Sequence, residues 1–200
     1  MRLIALVALS VAVLSLSAPA SYAVPIEFVA VLSPSNEMPP ATPSSGTGLA
    51  KVFIDPTAHT IQINVTFSGL SSNDTMAHIH CCLPSPLFPM NVGVATTVPA
   101  FPGFPTGVTS GTYSSPLLDL TTALPYNPAF VTAQGGIANA ETALVAGIEN
   151  RETYLNIHTV NFTGGEIRGF LVAPEPGTLV LLGAGLVALA GTGWRRHRRK

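Results

Sequence analysis

The chain has 200 residues, a formal net charge of −1, and 10% charged residues against 47% hydrophobic ones. The charge is unevenly distributed, because residues 24–173 carry three Lys or Arg against nine Asp or Glu, a net of −6. An acidic segment of this kind excludes nucleic acid as a partner, since nucleic-acid binding depends on clustered basic side chains. The apolar excess is concentrated towards the two ends, and the roughly 150 residues between them suit one domain.

The first 23 residues have the pattern of a cleavable secretory signal. Arg2 supplies a positive charge, residues 3–16 form an apolar run, and the small residues that follow predict cleavage after Ala23. A first transmembrane helix is the alternative, but Pro19 interrupts it. We therefore expect an N-terminal signal helix over the apolar run and export of the remaining chain.

Short apolar segments with intervening turn residues predict a β-rich domain over residues 24–173. The strands are expected at 26–32, 49–55, 60–67, 76–80, 108–113, 116–120, 154–160 and 166–172. Prolines crowd the segment 84–105, which predicts a long ordered loop. One helix is expected at 139–148, with Asn139 as its N-cap. The predicted fold class is mainly β: an antiparallel, Greek-key-like β-sandwich with one short helix.

The C-terminal residues 174–200 combine three features in order. A Pro-Glu-Pro sequence comes first, an uncharged apolar stretch follows at 178–194, and a basic tail occupies 195–200. About 17 residues can just span a bilayer, and a basic cluster stays on the cytoplasmic side. We expect a transmembrane helix over 178–194 with the domain outside the cytoplasm; a buried core helix is the alternative.

This arrangement resembles the PEP-CTERM sorting tag of Gram-negative bacteria, in which Pro174, Glu175 and Pro176 would be the sorting signal. The resemblance implies an exosortase-type sorting protease as a partner. It also implies that the protein is anchored in the inner membrane, with its domain in the periplasm, until processing. The product would then reach the cell surface or the extracellular matrix, often in species that make exopolysaccharide.

Polar side chains recur at alternate positions in three of the predicted strands. His78 and His80 share one face of a strand, and His158 and Glu166 lie in the two strands of the last hairpin. If these strands are neighbours, three imidazoles and a carboxylate converge, which suits zinc or copper. The alternative is a solvent-exposed polar face, the ordinary outer surface of a β-sandwich, whose charged pairs contribute little.

The two cysteines of the chain, Cys81 and Cys82, are adjacent. They exclude a disulfide framework between distant segments, and three states stay open: a vicinal disulfide, free thiols, or intermolecular bridges. Thiolates beside the histidines would favour copper(I) or zinc, or a redox role.

Six sequence blocks follow one another over residues 26–172. In chain order they are Leu32-Ser33 with 36–40, then 46–48, 68–70, 77–80, 154–159 and 164–169. Together they resemble the CHRD domain, which is named for its presence in chordin. The resemblance implies an all-β domain without established enzymatic activity, which in chordin is part of an extracellular ligand-binding protein. This chain departs from the family at Cys81-Cys82, where the family commonly has Gly after His-x-His.

We therefore expect a protein that is not an enzyme, because no nucleophile elbow, P-loop or paired-carboxylate motif occurs in the sequence. The favoured role is a binding or structural module of the cell envelope or exopolysaccharide matrix, with a polysaccharide or an envelope protein as its partner. The alternative is a metal-binding or redox domain that uses His78, His80 and His158.

Overall fold

The computed structural model describes residues 24–41, 43–85 and 90–174. The predicted signal peptide lies outside these residues, as do Glu175, Pro176 and the predicted span at 178–194. Within the described ranges, no helix combines the length and the apolar character needed to cross a membrane.

The domain consists of antiparallel strands and two helices. The strands are β1 Ile26–Leu32, β2 Thr47–Asp55, β3 Thr60–Ser68, β4 Asp74–Cys81, β5 Gly111–Ser114, β6 Leu118–Asp119, β7 Thr153–Thr159 and β8 Ile167–Phe170. The helices are α1 Pro128–Gln134 and α2 Ile137–Glu149. The predicted strands thus all exist, although β5, β6 and β8 are shorter than the sequence pattern suggested.

The first sheet has the strand order β1-β2-β3-β5, and β6 pairs with another part of β3. Its centre is the β2–β3 hairpin, whose turn is fixed by the Asp55 carboxylate accepting hydrogen bonds from the Thr57 and Ala58 N–H groups. Alternate residues of β3 are apolar and at most 2% exposed: Ile61, Ile63, Val65 and Phe67. That face of β3 contributes to the core.

The second sheet has the strand order β4-β7-β8. Its apolar face, which includes Ile79, Leu155 and Ile157, belongs to the same hydrophobic core as the apolar face of the first sheet. The sheets also meet at one edge, where the Ser33 and Arg168 backbones exchange hydrogen bonds between β1 and β8. Two sheets around one core agree with the expected sandwich, whereas its Greek-key path stays a prediction.

The prediction of a single helix was wrong, because α1 precedes the expected one. Asn127 caps α1 by accepting a hydrogen bond from the Ala129 N–H, and Pro128 occupies the first turn, where proline is tolerated. The second helix starts at Ile137, before the expected N-cap. The Asn139 side chain instead donates to the carbonyl of Gln134 at the end of α1.

Candidate metal centre

The strand register places the three candidate histidines on one face of the second sheet. β4 and β7 are antiparallel, with His78 opposite Asn156 and His80 opposite Tyr154. His158 lies opposite Met76, two residues before His78, so its side chain points to the same face as both β4 histidines. Two neighbouring strands therefore bring together residues that are about 80 positions apart in the sequence.

The three imidazoles form one compact cluster. The ring centroid of His78 lies 4.8 Å from that of His80 and 4.7 Å from that of His158. One ring nitrogen from each residue can be chosen so that all three lie within 4.8 Å of one another. Nitrogens that share one zinc at about 2.0–2.1 Å lie no more than about 4 Å apart, so the rings would close slightly around an ion.

Backbone carbonyls orient two of the three rings. The Nδ1 of His80 lies 2.7 Å from the Val92 carbonyl oxygen, and the Nδ1 of His158 lies 2.9 Å from that of Thr163. A carbonyl only accepts, so each Nδ1 carries the proton and each Nε2 keeps a free lone pair. Both Nε2 atoms are buried and have no hydrogen-bond partner among the described residues. Metal-binding histidines show this same arrangement.

Burial keeps the imidazoles in the neutral form that binds metals. The side chains of His78, His80 and His158 are 3%, 8% and 6% exposed. Burial, with the neighbouring His80 and His158, lowers the pKa of His78 to about 3. Burial also lowers the pKa of His80 to about 4 and lowers that of His158. All three rings are neutral at pH 7, as metal binding requires.

A second group of polar side chains lies beside the imidazoles on the same face. Arg168 of β8 is opposite Asn156 of β7 and is fully buried. Its guanidinium lies 4.7 Å from the Tyr154 ring centroid, and that ring stacks on His80 at 4.6 Å. The guanidinium also donates to the Asn91 side chain at 2.9 Å. Arg168 thus connects the imidazole cluster to the loop that contains Asn91.

The alternative of a solvent-exposed polar face is wrong, because two loops cover this face. The first follows β1, where the Asn36 carbonyl accepts a hydrogen bond from Arg168 and the Glu37 carboxylate lies 3.6 Å from the guanidinium. The second contains Asn91, which donates to the Met38 carbonyl of the first loop. Arg168 therefore pairs with Glu37 beneath these loops.

Glu37 is a buried acid that faces both a cation and a cleft. Burial raises its pKa to about 7, and the charge of Arg168 limits the rise. One of its oxygens, Oε1, has no hydrogen-bond partner in the described part of the chain. The same holds for the Asn156 Oδ1 and for the Arg168 Nη2, so three buried polar groups here have unused hydrogen-bonding capacity.

Glu166, the predicted carboxylate ligand, occupies a different site. Its oxygens accept hydrogen bonds from the Ser44 and Thr159 hydroxyls and from both the N–H and the hydroxyl of Ser71. Burial would raise its pKa, but these hydrogen bonds outweigh burial and the pKa is lowered. The compact cluster that can hold a metal comprises the three histidines and not Glu166. In the structure Glu166 joins three segments of the chain.

The cysteines adopt the first of their three predicted states, since Cys81 and Cys82 form a disulfide with each other. Both sulfur atoms pack against α2, at 3.7 and 3.6 Å from the Ala143 carbonyl oxygen. Cys81 follows His80 in β4, so its side chain points to the opposite face, into the core. A disulfide offers no thiolate to a metal, so Cys81 and Cys82 do not add thiolates to the three-imidazole cluster.

The fold and the site thus define a β-domain that has two antiparallel sheets and a buried cluster of three imidazoles. The chain belongs to the CHRD family, because residues 28–171 match the model of the CHRD domain. Residues 172–199 match the PEP-CTERM protein-sorting motif, so the protein is exported and carries a membrane-anchored sorting signal for an exosortase. Both resemblances are confirmed. No curated protein and no solved structure is significantly similar to the chain.

Sequence reasoning missed Glu37 and Asn91 as neighbours of the histidines. Glu37 was within one of the blocks that carried the family resemblance, which was the only signal for it. Asn91 belongs to the Pro-rich segment, whose course no periodicity reveals. Their positions depend on loops that fold back over the second sheet.

Proposed function

We propose that the exported domain is a non-enzymatic, metal-binding module of the cell envelope or exopolysaccharide matrix. His78, His80 and His158 would hold one zinc or copper ion. The observation that supports this most is the pair of Nδ1–H groups of His80 and His158, each fixed by a carbonyl, which leaves two buried Nε2 lone pairs beside the third ring. Without an ion, these buried acceptors would impose a desolvation cost that nothing offsets.

The ligand set favours zinc or copper over harder ions. Imidazole nitrogens suit zinc and copper, whereas magnesium and calcium prefer oxygen ligands. Three neutral imidazoles do not neutralise the charge of a bound ion. Copper(I), which has the lower charge, is therefore favoured at least as well as zinc. The nearby Glu37 carboxylate is a further negative group when it is ionised.

A structural or binding role fits the site better than catalysis. The three imidazoles are at most 8% exposed, and the cleft beside them is lined by Glu37, Asn91 and the 161–165 turn, with none of the three histidines among its described lining residues. A catalytic zinc keeps one position open to water or substrate. A buried ion instead fixes β4 and β7 to the two loops that orient the rings.

The metal content of the mature protein from its host tests this proposal. We expect about one zinc or copper per chain by elemental analysis, and about one equivalent again after stripping and reloading. His78→Ala, His80→Ala and His158→Ala should each lower the stoichiometry well below one. His59→Ala is the matched control, because His59 is exposed and pairs with Glu141 at 2.7 Å. Equal metal content in all four variants, or none in the native protein, would refute the proposal.

A partner in the envelope or matrix completes the proposed role. Export, which the sorting motif supports, would bring the domain to polysaccharides and envelope proteins. The net charge of −6 over residues 24–173 disfavours purely anionic polymers. Pull-down of the mature protein from its own envelope and secreted polysaccharide tests this part. Retention of a defined fraction is expected, and failure to retain any component would contradict it.

A further inference from the structure

The disulfide between Cys81 and Cys82 lies at the end of β4, where the strand packs against the C-terminal half of α2. We infer that this disulfide is a reducible site, and that its opening by a dithiol loosens the end of α2 from β4. The inference is independent of the proposed metal binding, because the Cys81 side chain and the three imidazoles lie on opposite faces of the second sheet.

A role as a structural cross-link does not account for this disulfide. A disulfide stabilises a fold mainly by restricting the unfolded chain, and the restriction grows with the number of residues in the loop that it closes. Cys81 and Cys82 are neighbours in the sequence, so the bond encloses no other residue and joins no distant segments. What the bond sets is the local arrangement of two sulfur atoms at the end of β4.

The backbone of α2 packs directly on the closed disulfide. A Cβ at Gly147 would lie 2.7 Å from the Cys81 Sγ and 3.3 Å from the Cys82 Sγ. The same Cβ would lie 3.2 Å from the Thr153 Cγ2, so β7 closes the space on another side. The two sulfur atoms also lie 3.7 and 3.6 Å from the Ala143 carbonyl oxygen, one turn earlier in the helix. The site thus fits two bonded sulfur atoms and has no spare room beside the helix.

Reduction increases the space that the two sulfur atoms need. A dithiol supplies two electrons and two protons: the Cys81–Cys82 bond breaks, two thiols form, and the dithiol itself becomes a disulfide. Two thiol sulfurs that no longer share a bond must move apart to van der Waals contact. Cys81 is held in β4 by its pairing with Thr153 and by the hydrogen bond from its N–H to the Gly93 carbonyl. Either Cys82 or α2 therefore has to move.

A chain of backbone hydrogen bonds connects Cys82 to the same part of α2. The N–H of Leu83 donates to the Glu152 carbonyl at 2.8 Å, and the N–H of Glu152 donates to the Gly147 carbonyl at 2.7 Å. The Leu83 side chain is buried, so the residue after Cys82 is itself fixed. A displacement of Cys82 therefore disturbs these hydrogen bonds, and either movement loosens residues 143–152.

The two cysteines differ in their exposure. Cys81 is 5% exposed, whereas Cys82 is only partly buried. An incoming thiolate attacks one sulfur of a disulfide and displaces the other as a thiolate. We expect the attack at the Cys82 Sγ, with the Cys81 sulfur as the leaving group that stays against α2.

Hydrogen exchange of the mature protein, measured by mass spectrometry before and after treatment with dithiothreitol, tests the inference. The intact mass reports the opening of the disulfide as a gain of two hydrogen atoms. In the reduced protein, amide exchange in residues 143–152 should accelerate by about tenfold or more, because local opening there becomes easier. The β2–β3 hairpin should exchange as before, and reoxidation should restore the original rates.

Two variants supply matched controls. Cys81→Ala combined with Cys82→Ala removes both sulfur atoms, so its exchange should not respond to dithiothreitol. His158→Ala removes one imidazole on the opposite face and should keep the full response. If the double alanine variant does not fold, the native protein with and without dithiothreitol still decides the question.

Three results would each overturn the inference. The first is a disulfide that dithiothreitol does not open in the folded protein. The second is an opened disulfide with unchanged exchange in residues 143–152. The third is an equal acceleration in the β2–β3 hairpin, which would show that the disulfide supports the whole fold rather than the end of α2.

The same measurement on metal-stripped and metal-loaded protein separates this inference from the proposed metal function. Residues 143–152 should respond to dithiothreitol equally in both samples. A protein that shows this response but binds no metal would refute the proposed function alone. A protein that binds metal but shows no response would refute this inference alone.

Discussion

Arg168 of β8 and Glu37 of the loop after β1 form a buried ion pair, with 3.6 Å between the Nε and Oε2 atoms and side chains that are 0% and 3% exposed. The pair lies over the same sheet face as the three histidines, and Arg168 also contacts Tyr154 and Asn91. It therefore connects the covering loops to the candidate metal centre. Most of the predictions below concern this face.

Arg168→Met should destabilise the domain by about 3–5 kcal/mol, because it leaves a buried acid without its cation. Lys51→Met is the matched control. Lys51 pairs with Glu27 at 2.8 Å, but their side chains are 47% and 33% exposed, so about 0–1 kcal/mol is expected. Urea unfolding of both variants measures the difference. Equal losses of unfolding free energy would show that Arg168 does not support this face.

The metal-free protein should lose stability as the pH falls from about 6.5 towards 4. The folded-state pKa is about 3 for His78 and about 4 for His80, below the ordinary value of 6.5. The unfolded chain therefore binds more protons than the folded protein in this range. The free energy of unfolding decreases as the pH decreases. Glu37, with a pKa raised to about 7, and Asp74, whose pKa burial also raises, act in the opposite direction below pH 7, but they are two groups against three histidines.

Urea unfolding in a chelating buffer at several pH values checks this dependence. Because each unit of pKa shift corresponds to about 1.4 kcal/mol, we expect a loss of several kcal/mol for the native sequence. His78→Gln should flatten the curve and His59→Ala should not. A stability that stays constant between pH 7 and 4.5 would mean that the imidazoles are not buried as described.

Glu166→Gln should destabilise the fold by about 2–4 kcal/mol without changing the metal content. The carboxylate accepts four hydrogen bonds from Ser44, Ser71 and Thr159. In the glutamine variant an NH₂ group replaces one carboxylate oxygen and faces the N–H or O–H groups that donated to it. Glu149→Gln, at the exposed end of α2, is the control and should be nearly neutral. Loss of metal in Glu166→Gln with unchanged stability would support its predicted role as a ligand instead.

Gly147→Ala should destabilise the protein, although alanine normally favours a helix interior over glycine by about 1 kcal/mol. Gly147 of α2 faces the disulfide, and a Cβ there would lie 2.7 Å from the Cys81 Sγ. The helix must shift away from β4 to accept it. Ala146→Gly, one residue earlier and exposed, should cost only about 0.5–1 kcal/mol. Thermal unfolding compares the two variants, and a higher Tm for Gly147→Ala would contradict this packing.

Local patterns in the sequence were sufficient to predict most of the fold. Short apolar segments separated by turn residues predicted β2 and β3, because this pattern depends only on residues near in sequence. The convergence of His78 with His158 also followed from alternation, once the two strands proved to be neighbours. α1 was missed because seven residues give too few turns for a periodicity, and its only local signals were the Asn127 cap, Pro128 in the first turn and Gly135 at the end.

The cover of the candidate site was not predictable in the same way. Alternating polar residues usually face solvent, and their burial here depends on Glu37 and Asn91, which reach the sheet from loops without periodicity. The carboxylate of Glu166 was expected with the histidines because it shares their alternation. Hydrogen bonds from Ser44 and Ser71 hold it elsewhere, and only the tertiary structure shows them.

X-ray absorption spectroscopy of the metal-loaded mature protein tests the central proposal most directly, because it reports the type and number of atoms bound to the ion. We predict three imidazole nitrogens at about 2.0–2.1 Å from zinc or copper, a signal that His78→Ala and His158→Ala reduce and His59→Ala leaves unchanged. Sulfur neighbours at about 2.3 Å, or oxygen neighbours alone, would contradict a metal centre made of His78, His80 and His158.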